Sequence, residues 1–140
     1  MQKLHFQLVT PERTVLNEEL DSLSCPTEMG QITVLPGHIP LVATLVPGEL
    51  IAKRQGKEDF IHVSGGFIEV RKNSEVIALA DAAEHHYDID IKKAEEAVER
   101  AKNEMAKKKM SAEEYTVIAS ILNKNQSRIR VARKHSQKRH

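Results

Sequence analysis

Cysteine, tryptophan and aromatic side chains are nearly missing from this chain: one Cys, no Trp, and aromatics at 4% of 140 residues. A lone Cys25 can form no intrachain disulfide, which fits a reducing compartment. Set between Ser24 and Pro26, it reads as a small buried residue and not as a nucleophile. Any core is built from Val, Ile, Leu and Ala. There is no run of 18 apolar residues, and Gln2-Lys3-Leu4-His5 enters a strand pattern at once. Neither a signal peptide nor a membrane span is therefore expected, and membrane association would come only through a partner. Catalytic signatures are missing too: no GxxxxGKS/T, GxSxG, HExxH or Cys pair. His85 and His86 are adjacent, and adjacent side chains converge poorly on one metal ion. Glu28 and Glu49 flank an apolar loop but have no evident partner base. No catalytic residue, no metal site and no required cofactor are expected, and an enzyme reading would have to invent its active site.

Charge of one sign is also scarce in each half. The formal net charge is +1, but residues 1–87 hold 7 Lys/Arg against 12 Asp/Glu, and residues 88–140 hold 14 against 8. The first part is acidic and the second basic, as in two modules with different partners.

What is present centres on Gly30 to Gly48, GQITVLPGHIPLVATLVPG. Ile32, Val34 and Leu35 end a strand. Pro36-Gly37 suits a type II turn, because proline fixes φ near −65° and glycine accepts the positive φ that follows. His38 and Pro40 keep the chain extended, Leu41 to Val46 is mostly apolar, and Pro47-Gly48 turns again. One reading is a rigid connection whose side chains only pack. The other is a docking surface, since a stiff apolar loop loses little entropy on binding.

Around it lie short strands. Leu4, Phe6 and Leu8 alternate with polar positions. Thr14 to Leu16 and Leu20 to Cys25 follow, and Pro26 to Gly30 reads as a loop. Gly48 to Arg54 and Asp59 to Val63 flank the hairpin signal Gln55-Gly56-Lys57. Ser64-Gly65-Gly66 suggests a sharp turn or bulge. Phe67 to Arg71 and Glu75 to Ala80 flank Lys72-Asn73-Ser74, a second hairpin. This spacing predicts an all-β sandwich or flattened barrel.

Near Asp88 the period changes. Ala94, Ala97, Val98, Ala101 and Met105 recur at helical spacing, with Asp88 or Asp90 as cap and Lys107-Lys108-Lys109 at the far end. Ser111-Ala112-Glu113-Glu114 forms a capping box, so a second helix starts at Ala112, with Tyr115, Ile118, Ala119, Leu122 and Ile129 on one stripe. The fold class is α+β: a sandwich over 1–86, then an antiparallel two-helix hairpin over 87–140. The alanine-rich seam buries little area, so the hairpin either stays fixed on the sandwich or swings, unfolds or extends when a partner offers a better surface. The tail holds Lys124, Arg128, Arg130, Arg133, Lys134, Lys138 and Arg139 with no acidic residue: a solvated end, or a contact for something acidic. A protein adaptor and a nucleic-acid module both fit a basic helix. Against nucleic acid stand the acidic sandwich and a tail without aromatic residues for base stacking.

GQITVLPGHIPLVATLVPGEL resembles the signature of the ε subunit of bacterial F-type ATP synthases, which reads like G-x-x-G-I-L-P-G-H-A-P-L-x-T-x-L-x-P-G. His62-Val63-Ser64-Gly65-Gly66-Phe67-Ile68-Glu69-Val70 resembles that family's second signature, and the likeness runs nearly the whole chain. Thr33 stands where the family usually has glycine, so a different bend is expected there. The resemblance implies a non-catalytic rotor subunit at the foot of the γ subunit, against the c-ring, coupling rotation to ion flow. It implies that Met29, Gly30 and Gln31 face the c-ring, and that His38, Ile39, Pro40, Leu41 and Val42 lie near γ. The helical hairpin would inhibit ATP hydrolysis when extended into the α/β hexamer, with Arg128, Arg130 and Arg133 meeting an acidic loop of β. Some relatives bind regulatory ATP through an Ile/Leu-Asp-x-x-Arg-Ala motif. The match here is Ile89, Asp90, Lys93 and Ala94, with Arg100, Lys124 and Arg128 nearby and Glu84 close to that set. Lys93 and Lys124 replace arginines, and lysine lacks the planar fork that grips phosphate. The implied place is the cytoplasmic face of the bacterial membrane, held there by the complex.

Overall fold

The computed structural model describes residues 2–107 and 109–136. Lys108, Lys138 and Arg139, named above in the basic runs, lie outside the described residues. The chain divides into two compact units, Met1–His85 and His86–His140.

The first unit is one folded sheet of eight strands: β1 (Leu4–Val9), β2 (Thr14–Leu20), β3 (Ser22–Thr27), β4 (Gly30–Val34), β5 (Leu41–Thr44), β6 (Gly48–Arg54), β7 (Lys57–Val70) and β8 (Glu75–His85). Their order is β2-β1-β8-β7-β6-β3-β4, with β5 on β7, so the sheet is a flattened sandwich that does not close into a barrel. Among the described residues only the β1–β8 pair is parallel. The ladder aligns Leu8, Ala78, Ile68 and Ala43 in one inward row across four strands. Phe6, Val76, Val70 and Leu41 form the next. With Leu4, Leu23, Leu50 and Ile61 these make the core, aliphatic as the composition requires. Cys25 is fully buried there, and burial pushes its thiol up to about 12, so it carries no thiolate at neutral pH.

The turn chemistry is as expected in three places. His38 N–H donates to Leu35 C=O (3.1 Å) and Gly37 has φ 84°, which closes the Pro36–Gly37 turn. Gln55 and Gly56 both have positive φ, the two-residue hairpin form that matches strand twist. Asn73 and Ser74 are left-handed at the β7–β8 turn.

Four expectations give way. Ser64-Gly65-Gly66 is no turn: β7 runs straight through it, and the register with β8 does not change. Both glycines have positive φ, and a Cβ on Gly66 would overlap the Leu79 carbonyl and stand 2.8 Å from Ala80 Cα. Gly66 serves close approach of two backbones where β7 leaves β6 and takes β5, while Gly65 leaves room for the Asp81 side chain. Pro26 and Thr27 stay in β3. Pro26 pairs with Gln31 of β4, beyond the reach of β6, so its missing N–H costs no ladder bond on that side. Thr33 introduces no bend, because it lies in regular ladder opposite Ser24, with the two hydroxyls 3.0 Å apart. β2 and β8 also run longer than their apolar cores suggested, to Leu20 and His85.

The second unit holds α1 (Ile91–Met105) and α2 (Ala112–Ser136) after a short 3-10 turn at His86–Asp88. Asp90 caps α1, accepting from Lys93 N–H at 3.0 Å. Ser111 caps α2, accepting from Glu114 N–H at 3.1 Å. Glu95 meets Arg133 (3.3 Å), and Ala101 and Glu104 share a pocket with Ile118 and Ile121, so the helices run antiparallel. The apolar core is small: Ile89, Val131 and Ala132, with Ile91 against them. Ala94 and Ala101 are the buried residues of α1. The stripe expected on α2 is incomplete, since Tyr115 is half exposed and Ile118, Ala119, Leu122 and Ile129 are only partly covered. Small alanines opposite leave the larger α2 side chains at the loop end little to pack against.

Candidate functional site

In most half-solvated sheets the outer face is polar. Here two outward rows cross β1, β8, β7 and β5: Val9–Leu79–Phe67–Thr44 and Gln7–Ile77–Glu69–Val42. Val42 is 67% exposed, Phe67 58% and Leu79 52%. Met29, 77% exposed at the tip of the β3–β4 turn, borders the same surface. Thr27, Glu28, Met29, Val42, Thr44 and Phe67 together line an open pocket of about 220 Å³. A contiguous apolar surface of this kind marks a binding face more often than a random exposed Leu does.

The turn beneath Met29 is well held. Thr27 Oγ1 donates to Gly30 C=O (2.6 Å) and accepts from Met29 N–H (3.2 Å), and Glu28 N–H donates to Thr44 C=O (3.1 Å). Gly30, with φ 102°, and Gln31 are exposed beside it. A second crest, Leu35 to Pro40, carries exposed Leu35, Ile39 and Pro40 and half-buried His38. The His38 ring nitrogen Nδ1 lies 2.6 Å from Ile39 C=O.

The structure thus joins Met29 and Val42 in one surface. Gly30, Gln31, His38, Ile39 and Pro40 sit on exposed turns. Leu41 departs from the expected patch: it faces inward opposite Val70 and packs on the core. Period-two geometry sets this, since Val42 faces outward and its neighbour cannot. Phe67, Leu79 and Ile77 were missed as surface residues. For Ile77 and Leu79 the signal was there in Val76-Ile77-Ala78-Leu79-Ala80, where both alternating sets are apolar.

The hairpin residues fall at several levels. Ile89 and Ala94 are buried, and the Asp90 carboxylate is engaged by the α1 cap. Lys93 is exposed at the start of α1. Arg100 lies about 15 Å along the helix from Asp90 at 1.5 Å per residue. There it borders an open pocket of about 450 Å³ with Ala97, Asn103, Glu104, Ile118 and Ile121. Arg128 donates to Asn125 Oδ1 (2.8 Å), Lys124 is partly covered, and Arg130 and Arg133 are exposed. His85 and His86 part company: His85 Nδ1 pairs with Asp59 (3.1 Å), while the His86 ring meets His135 edge-on at 5.2 Å. Among the described residues no three His, Cys, Asp or Glu converge as a metal site, and no helix is long and apolar enough to cross a membrane.

Comparison with known proteins places this architecture. The beta-sandwich domain of the ATP synthase delta/epsilon chain matches residues 3–86. An ATP synthase epsilon chain of Dehalococcoides mccartyi is 41% identical over 140 residues, covering 98% of this chain and 99% of that one. The epsilon chain of Nitratidesulfovibrio vulgaris is 44% identical over 103 residues, 74% of this chain and 76% of that relative. A chain in the cryo-EM structure of the Euglena gracilis mitochondrial ATP synthase (OSCP, F1 and c-ring) shares the fold. Its TM-score is 0.80 at 24% identity, over 91% of this chain and 79% of that one. A sandwich matched over residues 3–86 and a near full-length relative at 41% identity establish that the chain belongs to the ATP synthase epsilon chains, non-catalytic subunits of that complex.

Proposed function

We propose that this chain is the rotor epsilon subunit of a proton-translocating synthase, docking through its sandwich and braking ATP hydrolysis through its hairpin. The observation that carries the docking half is the outer apolar surface of Val42, Phe67 and Leu79, bordered by Met29. Burying such side chains stabilises a complex by about 1.5–3 kcal/mol each before losses. In this reading Met29, Gly30 and Gln31 meet the c-ring, and His38, Ile39, Pro40 and Val42 meet γ. The chain then couples rotation of both to ATP synthesis and sits at the cytoplasmic face of the bacterial membrane through the complex.

The braking half rests on weak internal packing and basic charge. Among the described residues the hairpin buries Ile89, Val131 and three alanines, Ala94, Ala101 and Ala132. Its Glu95–Arg133 pair is exposed on both sides and worth little. Arg133 can exchange this contact for an acidic surface in the α/β hexamer, where screening is weaker, and Arg128 and Arg130 can join it there. The test is ATP hydrolysis by a matched αβγ complex without epsilon. The full chain should bind and inhibit, and a chain ending at Asp88 should bind without inhibiting. Binding by neither form overturns the proposal.

A second reading adds regulatory ATP on the compact hairpin. It is favoured by Arg100 on the wall of the α1–α2 pocket and Arg128 on the facing helix. Equilibrium binding of ATP to the full chain, with Arg100→Ala and Asp90→Ala as controls, tests it, and a parent chain without nucleotide affinity sinks it.

A further inference from the structure

The Pro36–Gly37 turn needs a partner for one amide. Pro36 has no N–H, and His38 N–H is used within the turn by Leu35 C=O. Gly37 N–H points out of the turn and donates to Ser74 Oγ at 2.9 Å. Ser74 lies 37 residues away, in the turn that joins β7 to β8. β5 brings the two turns together, because Leu41 pairs with Val70 at the end of β7.

Ser74 sits there against its own steric preference. Asn73 has φ 65° and Ser74 φ 60°, two consecutive non-glycine residues in the left-handed region. Asparagine is at ease there; serine gains nothing from it, and glycine would be cheaper. A hairpin turn requires the conformation but not a hydroxyl. The turn itself is closed without it, by Arg71 N–H donating to Glu75 C=O at 2.7 Å. What the hydroxyl supplies is an acceptor for the other turn.

We infer that Ser74 is a positioning residue for the docking crest: it fixes Gly37, and through it the presentation of Leu35, His38 and Ile39. The inference rests on the docking reading above. A crest already held in its bound shape loses less entropy when a partner seats on it. Such a residue acts without touching the partner, through one hydrogen bond from a different turn.

Three variants of the full chain separate positioning from stability. Ser74→Ala removes the acceptor and keeps the strain. Ser74→Gly removes the acceptor and relieves the strain. Ser74→Asn offers an acceptor again and tolerates the positive φ. Each is read by hydrogen exchange at the Gly37 amide in the free chain, by melting temperature, and by affinity for a synthase core lacking epsilon. Ala and Gly should both speed Gly37 exchange about tenfold and weaken binding about three- to tenfold, the range of one lost hydrogen bond. This should hold even though Gly melts no lower than the parent, and Asn should recover both. The inference is overturned if affinity follows melting temperature, with Gly binding like the parent and Ala weakly. It is also overturned if Gly37 exchange does not change. A parent chain that fails to bind the core overturns the docking reading itself, and the role of Ser74 with it; a core that binds the parent and all three variants equally removes only Ser74.

Discussion

Phe67 on β7 and Leu79 on β8 are direct partners in the antiparallel ladder, and both turn their side chains outward. One strand position away, Ile68 and Ala78 are opposite each other and fully buried. The same two strands therefore build the core with one face and an apolar outer surface with the other.

Replacing Phe67 and Leu79 together by serine should leave the sandwich folded. Neither side chain is in the core, so the loss is the cross-strand pair, about 1 kcal/mol or less in urea unfolding. Affinity for an epsilon-free synthase core should fall more than tenfold, because two apolar contacts of about 1.5–3 kcal/mol each disappear. Unchanged affinity in a pull-down or titration would assign the surface no docking role.

Acid should loosen the corner around Asp21. Its carboxylate accepts from Lys3 and, at 2.7 Å, from Gln55 N–H, and these bonds hold it below its ordinary value of 3.8. A lowered carboxylate stabilises the fold above its unfolded value and loses that contribution as pH falls through the folded one. Parent and Asp21→Asn chains should therefore differ in melting temperature at pH 7. The difference should shrink as pH drops below about 4, where an unperturbed Asp protonates. A gap independent of pH would mean that the charge is irrelevant.

Gly66→Ala and Gly56→Ala should part widely. At Gly66 a Cβ overlaps the β8 backbone and φ is 113°, so the cost is about 3 kcal/mol or more. At Gly56 nothing lies within 4 Å and only the φ of 78° opposes a side chain, so the cost is about 1 kcal/mol. Chemical denaturation of both variants measures the contrast, and equal costs would refute the close-approach argument.

Filling the α1–α2 pocket should stiffen the hairpin. Ala97 lines it opposite Ile118 and Ile121. Ala97→Leu adds apolar area there and should stabilise the hairpin by about 0.5–2 kcal/mol. Helical ellipticity should then persist to higher temperature, and inhibition of ATP hydrolysis by the full chain should weaken. Stronger inhibition would show that the compact hairpin is not the relaxed state.

Removing the Ser111 cap tests the start of α2. Ser111→Ala leaves Glu114 N–H without its acceptor and should cost about 1 kcal/mol of helix stability. Fraying read by amide exchange at residues 112–115 is the measurement, and protection equal to the parent would dismiss the cap.

Much of this was legible before any coordinates. Period-two alternation in Leu4-His5-Phe6-Gln7-Leu8 specifies a half-buried strand whatever surrounds it, because strand side chains alternate by geometry. Pro36-Gly37 and Gln55-Gly56 fix their turns through φ alone. Asp90 and Ser111 cap helices through bonds that span three residues. These are local constraints, and a linear chain states them directly. The sandwich and the two helices followed from them.

Long-range pairing decided the rest. Gly65-Gly66 looks like a turn in the sequence, yet it is strand interior, because only the fold brings the Leu79 carbonyl against it. Leu41 and Val42 are equally apolar, and register on β7 alone sends one inward and the other out. Ser74 and Gly37 share a hydrogen bond across 37 residues, which no local pattern encodes. Composition, periodicity and turn chemistry act over a few residues, so the sequence by itself determined the elements and their order. Which faces of those elements remain available to a partner depends on who pairs with whom, and that was settled only when the sheet folded.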